Sequence, residues 1–129
     1  MKTLTIILTL GTVLALPARA DTPQQILAFY QQQAGPASAT RGETFFRARI
    51  TRDGQTESCA SCHTDNPKAI GKTRANKAIE PLAPVANRDR FTDPAKVEKW
   101  FRRNCKDVLA RECSAQEKAD FVAYLISVK

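Results

Sequence analysis

The chain has 129 residues, one domain in size, with 20 Lys and Arg against 13 Asp and Glu and a net charge of +7. A balance this basic admits nucleic acid, but the cations do not interleave with an aromatic binding pattern, so nucleic acid is not expected as a partner. Four cysteines, one histidine and one methionine are the whole stock of sulfur and imidazole ligands, which narrows any metal chemistry sharply.

The first twenty residues, MKTLTIILTLGTVLALPARA, hold one lysine, an apolar run from Leu4 to Leu16, and Ala18-Arg19-Ala20. This is the pattern of an export signal cleaved after Ala20. The run falls short of the about 20 apolar residues that span a bilayer, so stable membrane insertion is not expected. Residues 21–129 then form the mature domain, 109 residues with 18 basic and 13 acidic side chains and no methionine. The expected compartment is the periplasm, where disulfides persist. The remaining positive charge reads either as a solvated surface or as a face that steers an acidic redox partner.

Thr22-Pro23 supplies an N-cap and a proline at the first helical position, and predicts a helix carrying Ile26, Phe29 and Tyr30 that stops at Gly35-Pro36. Thr40 can cap a second helix, RGETFFRARI, in which Gly42 and Phe46 share a face. A turn at Asp53-Gly54 leads into ESCASCHTDN. Residues 64–92 are rich in Pro, Asn, Lys and Arg without helical periodicity, and read as loop wrapped around a bound group. Asp93-Pro94 opens the next helix. Its apolar stripe is Val97, Trp100, Phe101, Asn104, Cys105 and Val108, the spacing of a buried face. Ser114-x-x-Glu117 forms a capping box ahead of a last helix whose inward residues are Phe121, Val122, Leu125 and Val128. With no strand pattern, the chain reads as all-α.

Cys59-x-x-Cys62-His63 is the attachment motif of a c-type haem: both thiols add to the vinyl groups and the histidine becomes an axial ligand. The usual sixth ligands, a second His or a Met thioether, are excluded by counting, since His63 is the only histidine and Met1 leaves with the signal. The four cysteines alone would allow three disulfide pairings. A zinc site with His63 is weakly supported, because the second pair is spaced C-x7-C. If haem consumes the first pair, Cys105 and Cys113 are left to oxidise together. Closing that nine-residue loop would stabilise the fold by roughly 2–3 kcal/mol.

Asn104 stands in the middle of the apolar stripe. An amide buried without partners costs on the order of 1–3 kcal/mol, so its place needs a reason. One reason is structural: Asn ends helices well in the left-handed conformation. The other is that its side-chain oxygen reaches the iron. A neutral amide oxygen is a hard, weak donor that suits ferric better than ferrous iron, so reduction would release it and open a site for O2, NO or CO. Lys99 or Lys106, at the cost of burying a deprotonated amine, and no sixth ligand at all are the alternatives. Trp100 and Phe101 read as packing against the haem. Pro67 and Pro81 are the nearest prolines whose carbonyl could orient His63. No distal acid or base beyond Asn104 and Arg88, Arg90 or Arg103 is offered, so no catalytic residue is assigned.

RGETFF, CASCH and ADFVAYL resemble class I cytochrome c, whose first and last core helices meet at a Gly/aromatic contact. The resemblance places Gly42 and Phe46 against Phe121, Tyr124 and Leu125. The stretch IEPLAPVANRDRFTDPAKVEKWFRRNCKDVLARECSAQEKADF (79–121) is similar to the family of the sphaeroides haem protein, an oxygen-binding cytochrome c, and of cytochrome c double-prime. That resemblance implies a class I-like fold around one covalently attached haem c, with an extra N-terminal helix. In the double-prime proteins a histidine released on reduction precedes the first disulfide cysteine. In the sphaeroides type it is an asparagine, and this chain has Asn104 before Cys105. The resemblance further implies a Cys105–Cys113 disulfide, Asn104 as the distal ligand of the oxidised iron, and binding of diatomic gases. It implies electron exchange with a dihaem cytochrome c connected to a membrane cytochrome b. A simple electron-transfer cytochrome c is the alternative.

Overall fold

The computed structural model describes residues 20–129; the expected signal, apart from Ala20, lies outside them. Helix α1 (Pro23–Ala34) begins where the cap chemistry places it. The Thr22 hydroxyl accepts from the Gln25 amide, the Gln25 side chain accepts from the Thr22 amide, and Pro23 fills the first helical position. Ile26 and Tyr30 are its buried face, whereas Phe29 is about half exposed. Gly35, at φ 96°, ends the helix in a conformation that costs a residue with a Cβ.

Helix α2 (Ala39–Arg47) starts before Thr40. Its cap is Ser38, whose hydroxyl accepts from the Arg41 amide, and the helix stops at Arg47 instead of running on to Ile50. The shift has a tertiary cause. The buried Asp120 carboxylate accepts from the Ser38 amide at 2.7 Å and from the Arg41 guanidinium at 2.7 and 2.8 Å, holding the start of α2 against α5. Burial by itself would raise the Asp120 carboxyl's pKa. The hydrogen bonds from Arg41, Ser38 and Gln116 outweigh it and hold the group below the usual carboxylate range.

Two antiparallel ladders of two or three residues follow, which the sequence does not predict. β1 (Ile50–Arg52) pairs with β2 (Gln55–Glu57) across Asp53-Gly54, both at positive φ. β3 (Gly71–Lys72) pairs with β4 (Ala78–Ile79). Between the ladders lies the short helix α3 (Cys59–His63). The ladders are too small to form a layer, and the fold remains helical.

Helix α4 (Pro94–Leu109) is capped by Asp93, and α5 (Ala115–Ser127) opens on the Ser114/Glu117 capping box. The core joins α1, α2, α4 and α5 through aromatic edges. Phe46 packs on Phe121 and Tyr124, Phe121 on Phe101, and Phe101 on Tyr30, with ring centroids 5.5–6.2 Å apart. Glu98 of α4 accepts from Tyr30 of α1 and from Lys118 of α5. Cys105 and Cys113, both buried, are joined by a disulfide with Cα atoms 5.7 Å apart, which ties the C-terminal half of α4 to the start of α5.

The α4 stripe is not one buried face. Val97, Phe101 and Cys105 are buried, but Trp100 is 41% exposed and Asn104 is exposed. The two rows lie about 60° apart at 100° per residue, and only one turns into the protein core. Nor does Asn104 end the helix: α4 continues to Leu109, and the left-handed cap is Ala110, at φ 57°.

Candidate haem centre

Cys59, Cys62 and His63 sit at i, i+3 and i+4 on α3, so one face of one helical turn presents all three. So short a helix needs help to form. Ser58 and Ser61 supply it through a reciprocal box in which each hydroxyl accepts from the other's amide, at 3.1 and 2.9 Å. Thr64, at φ 62°, turns the chain out of the helix, and its hydroxyl donates to the Asn66 carbonyl.

Behind α3 runs β3. A Cβ added at Gly71 would overlap the Cys62 carbonyl oxygen and stand 3.1 Å from the Cα of His63. Glycine is therefore what lets the following loop lie directly on the backbone of the motif. The same loop is pinned by Pro67, whose carbonyl accepts from the amides of Leu82 and Ala83 at 2.8 and 2.9 Å. The Pro81 carbonyl accepts from Arg90 at 2.8 Å. Both prolines' carbonyls thus have partners other than His63.

The donor set suits a c-type haem. Cys59 and Cys62 are free thiols and half-buried, while the other two cysteines are spent on the disulfide. Burial, with the neighbouring Cys62, pushes the Cys59 thiol up to about 11. Burial and then the charge of Arg90 bring His63 down to about 4, so the imidazole is neutral at pH 7, the form that ligates a metal. Two free thiols and a neutral imidazole on one face are what attachment and axial ligation require.

Elsewhere the structure separates the expected residues. Trp100 and Asn104 share an outward row of α4, one turn apart, and the Asn104 side chain makes no hydrogen bond among the described residues. Phe101 lies in the protein core, edge-on to Tyr30 and Phe121. Lys99 and Lys106 are exposed and, at 100° per residue, about 140–160° round the helix from Asn104. A cleft of about 240 Å³ lined by Glu98, Arg102, Glu112, Cys113 and Lys118 is polar and contains none of the motif residues. Sequence reasoning missed Gly71 and the Asp120 clasp, and named Arg90 only as one of three arginines on the distal side. Only a lone glycine shortly after the motif signals the first.

Residues 32–125 match a family described as a domain of unknown function, DUF1924. The chain is 49% identical to the cytochrome c-type protein SHP of Cereibacter sphaeroides, over 92% of this chain and 95% of that protein. It is 41% identical to cytochrome c'' of Methylophilus methylotrophus, over 98% and 96%. Oxidised SHP, described as an oxygen-binding cytochrome c, superposes with a TM-score of 0.76 at 48% identity, over 81% of this chain and 96% of that one. Oxidised cytochrome c'' gives 0.77 at 40% identity, over 83% and 94%. The fold and the thiol–thiol–imidazole face therefore define a monohaem c-type cytochrome, whose cofactor is one covalently bound haem c. Within that class, the chain belongs to the family of SHP and cytochrome c''.

Proposed function

We propose that this is a periplasmic cytochrome whose iron is opened by reduction. Cys59 and Cys62 carry the haem and His63 is its proximal ligand. Asn104 holds the distal position in the oxidised state and withdraws on reduction, leaving room for O2, NO or CO. When bound, the haem supplies an iron that takes and returns one electron and coordinates diatomic gases.

One observation carries this reading: an asparagine in the middle of a 16-residue helix, exposed, without a hydrogen bond among the described residues, one turn from an exposed tryptophan. Asparagine lowers helix stability at such a position, and no cap or buried partner accounts for it. Trp100, exposed on the same row, would pack along the haem. The neighbouring Cys105 is joined by the disulfide to Cys113, just ahead of α5, which steadies the segment that carries Asn104. A lysine ligand is disfavoured by the placement of Lys99 and Lys106. The oxygen binding described for SHP supports gas binding here.

The outward face of α4 supports a redox partner. Lys96, Lys99, Arg102, Arg103 and Lys106 are all exposed and form no ion pair among the described residues, whereas Arg41, Arg47, Arg74 and Arg111 are each paired with a carboxylate. An acidic surface on a dihaem cytochrome c, connected in turn to a membrane cytochrome b, would complement it. No helix among the described residues is long and apolar enough to cross a membrane.

The reading is tested by adding CO to the dithionite-reduced protein. The expected result is a high-spin reduced spectrum that shifts on mixing. A reduced protein that stays six-coordinate and ignores CO would leave a simple electron carrier.

A further inference from the structure

The β1–β2 hairpin lies against the last turn of α4 across a narrow seam. Ile50, Arg52, Gln55 and Glu57 of the hairpin and Val108 of α4 line it, around a volume of about 30 Å³. That is room for one small molecule, since a single water needs ~10–15 Å³ on the same measure. The seam's neighbours give it meaning. Glu57, the last residue of β2, is followed by Ser58 and then by Cys59, where the haem-binding face of α3 begins. Val108 lies one turn beyond Asn104 on α4. The seam thus separates the strand that leads into the attachment motif from the helix that carries Asn104. A haem held between those two elements has the seam at its edge.

The seam is weakly closed. Among the described residues one hydrogen bond crosses it, from Arg52 Nη2 to the Asp107 carbonyl, and at 3.4 Å it is long. Ile50 and Val108 are half-buried aliphatics, yet neither joins the protein core. The charged groups have other partners: Glu57 pairs with Arg74, and Arg52 stands 3.9 Å from the Asp53 carboxylate. Two aliphatic side chains and the Gln55 amide remain, all uncharged, a lining that admits a neutral gas more readily than an ion. We propose that this seam is the entrance by which O2, NO or CO reaches the distal side of the iron, with Ile50 and Val108 at its throat and Arg52 as the strap across it. A hairpin tied to α4 by one long bond parts from it at little cost. The entrance rests on the reduction-opened iron proposed above.

The test is flash photolysis of the CO complex of the reduced, haem-loaded full chain, beside its Val108→Trp, Val108→Ala and Arg52→Ala variants and, on α1, Phe29→Ala. A barrier on the path slows entry and exit alike and leaves both end states unchanged. Val108→Trp should therefore slow CO association and release about fivefold each while the affinity stays within about twofold. Val108→Ala and Arg52→Ala should speed both rates, and Phe29→Ala should change neither. Methyl NMR of the CO complex under xenon pressure reads the seam without reference to binding: the Ile50 and Val108 methyls should shift. Association rates unmoved in both Val108 variants overturn the proposal, as do methyls that xenon leaves in place. A change confined to release also overturns it, because Val108 would then touch the bound gas. Where Val108→Trp fails to load haem, Val108→Ala and the xenon shifts decide. A native reduced protein that takes no CO sinks the opened iron and the entrance together, whereas normal CO uptake with unmoved rates sinks the entrance alone.

Discussion

Gly42→Ala is expected to destabilise the protein by about 3 kcal/mol, near the upper end for overpacking a core. The added methyl would overlap the main-chain carbonyl of Asp120 and lie 2.8 Å from the Cβ of Tyr124. A flexible side chain could swing aside; a carbonyl inside α5 cannot. The helices would have to part where Phe46 meets Phe121 and Tyr124 and where Arg41 clasps Asp120. For a domain this size that corresponds to a fall in Tm of more than ~10 °C. Gly54→Asn makes the control: its site has positive φ and open space around it, which asparagine tolerates, so its Tm should move by only a few degrees. Equal losses in the two variants would show that the Gly42 contact is not tight.

Cys105→Ala/Cys113→Ala is expected to cost about 2–3 kcal/mol from the nine-residue loop alone, and roughly 8–12 °C in Tm. The effect should reach the iron. Helix α4 is held to the rest of the molecule by Phe101, by Glu98 bonded to Tyr30 and Lys118, and by this disulfide. The disulfide is the tie next to Asn104. Without it the oxidised protein should show a larger high-spin fraction by visible absorption. A double variant with native Tm and a native oxidised spectrum would contradict both the clamp and its link to the ligand.

Where local chemistry decides, the sequence is legible. Thr22-Pro23, Asp93-Pro94 and the Ser114/Glu117 box each place a helix start correctly, because a cap is settled within four residues. The start of α2 is not local. Ser38 wins over Thr40 because a carboxylate 82 positions away binds its amide, and no pattern within the helix reports that. The small ladders escaped because two or three residues cannot show alternation, although Asp53-Gly54 carried the turn signal for one of them.

The site divides the same way. Cys59, Cys62 and His63 announce their chemistry through spacing alone. The α4 stripe was legible as an apolar arc, but helical periodicity does not say which part of it meets protein and which part meets a prosthetic group; Phe101 is in the protein core and its sequence neighbour Trp100 is not. Gly71 lies on the back of α3, a contact that leaves no signature in residue type.

Whether Asn104 is a weak distal ligand of the oxidised iron is decided by the oxidised absorption spectra of the native protein and Asn104→Ala, followed by their reduced spectra. A low-spin or mixed native oxidised spectrum and a high-spin variant are expected. After reduction the two should coincide, because the side chain has already left. Indistinguishable oxidised spectra would contradict that ligation and remove Asn104 from the iron.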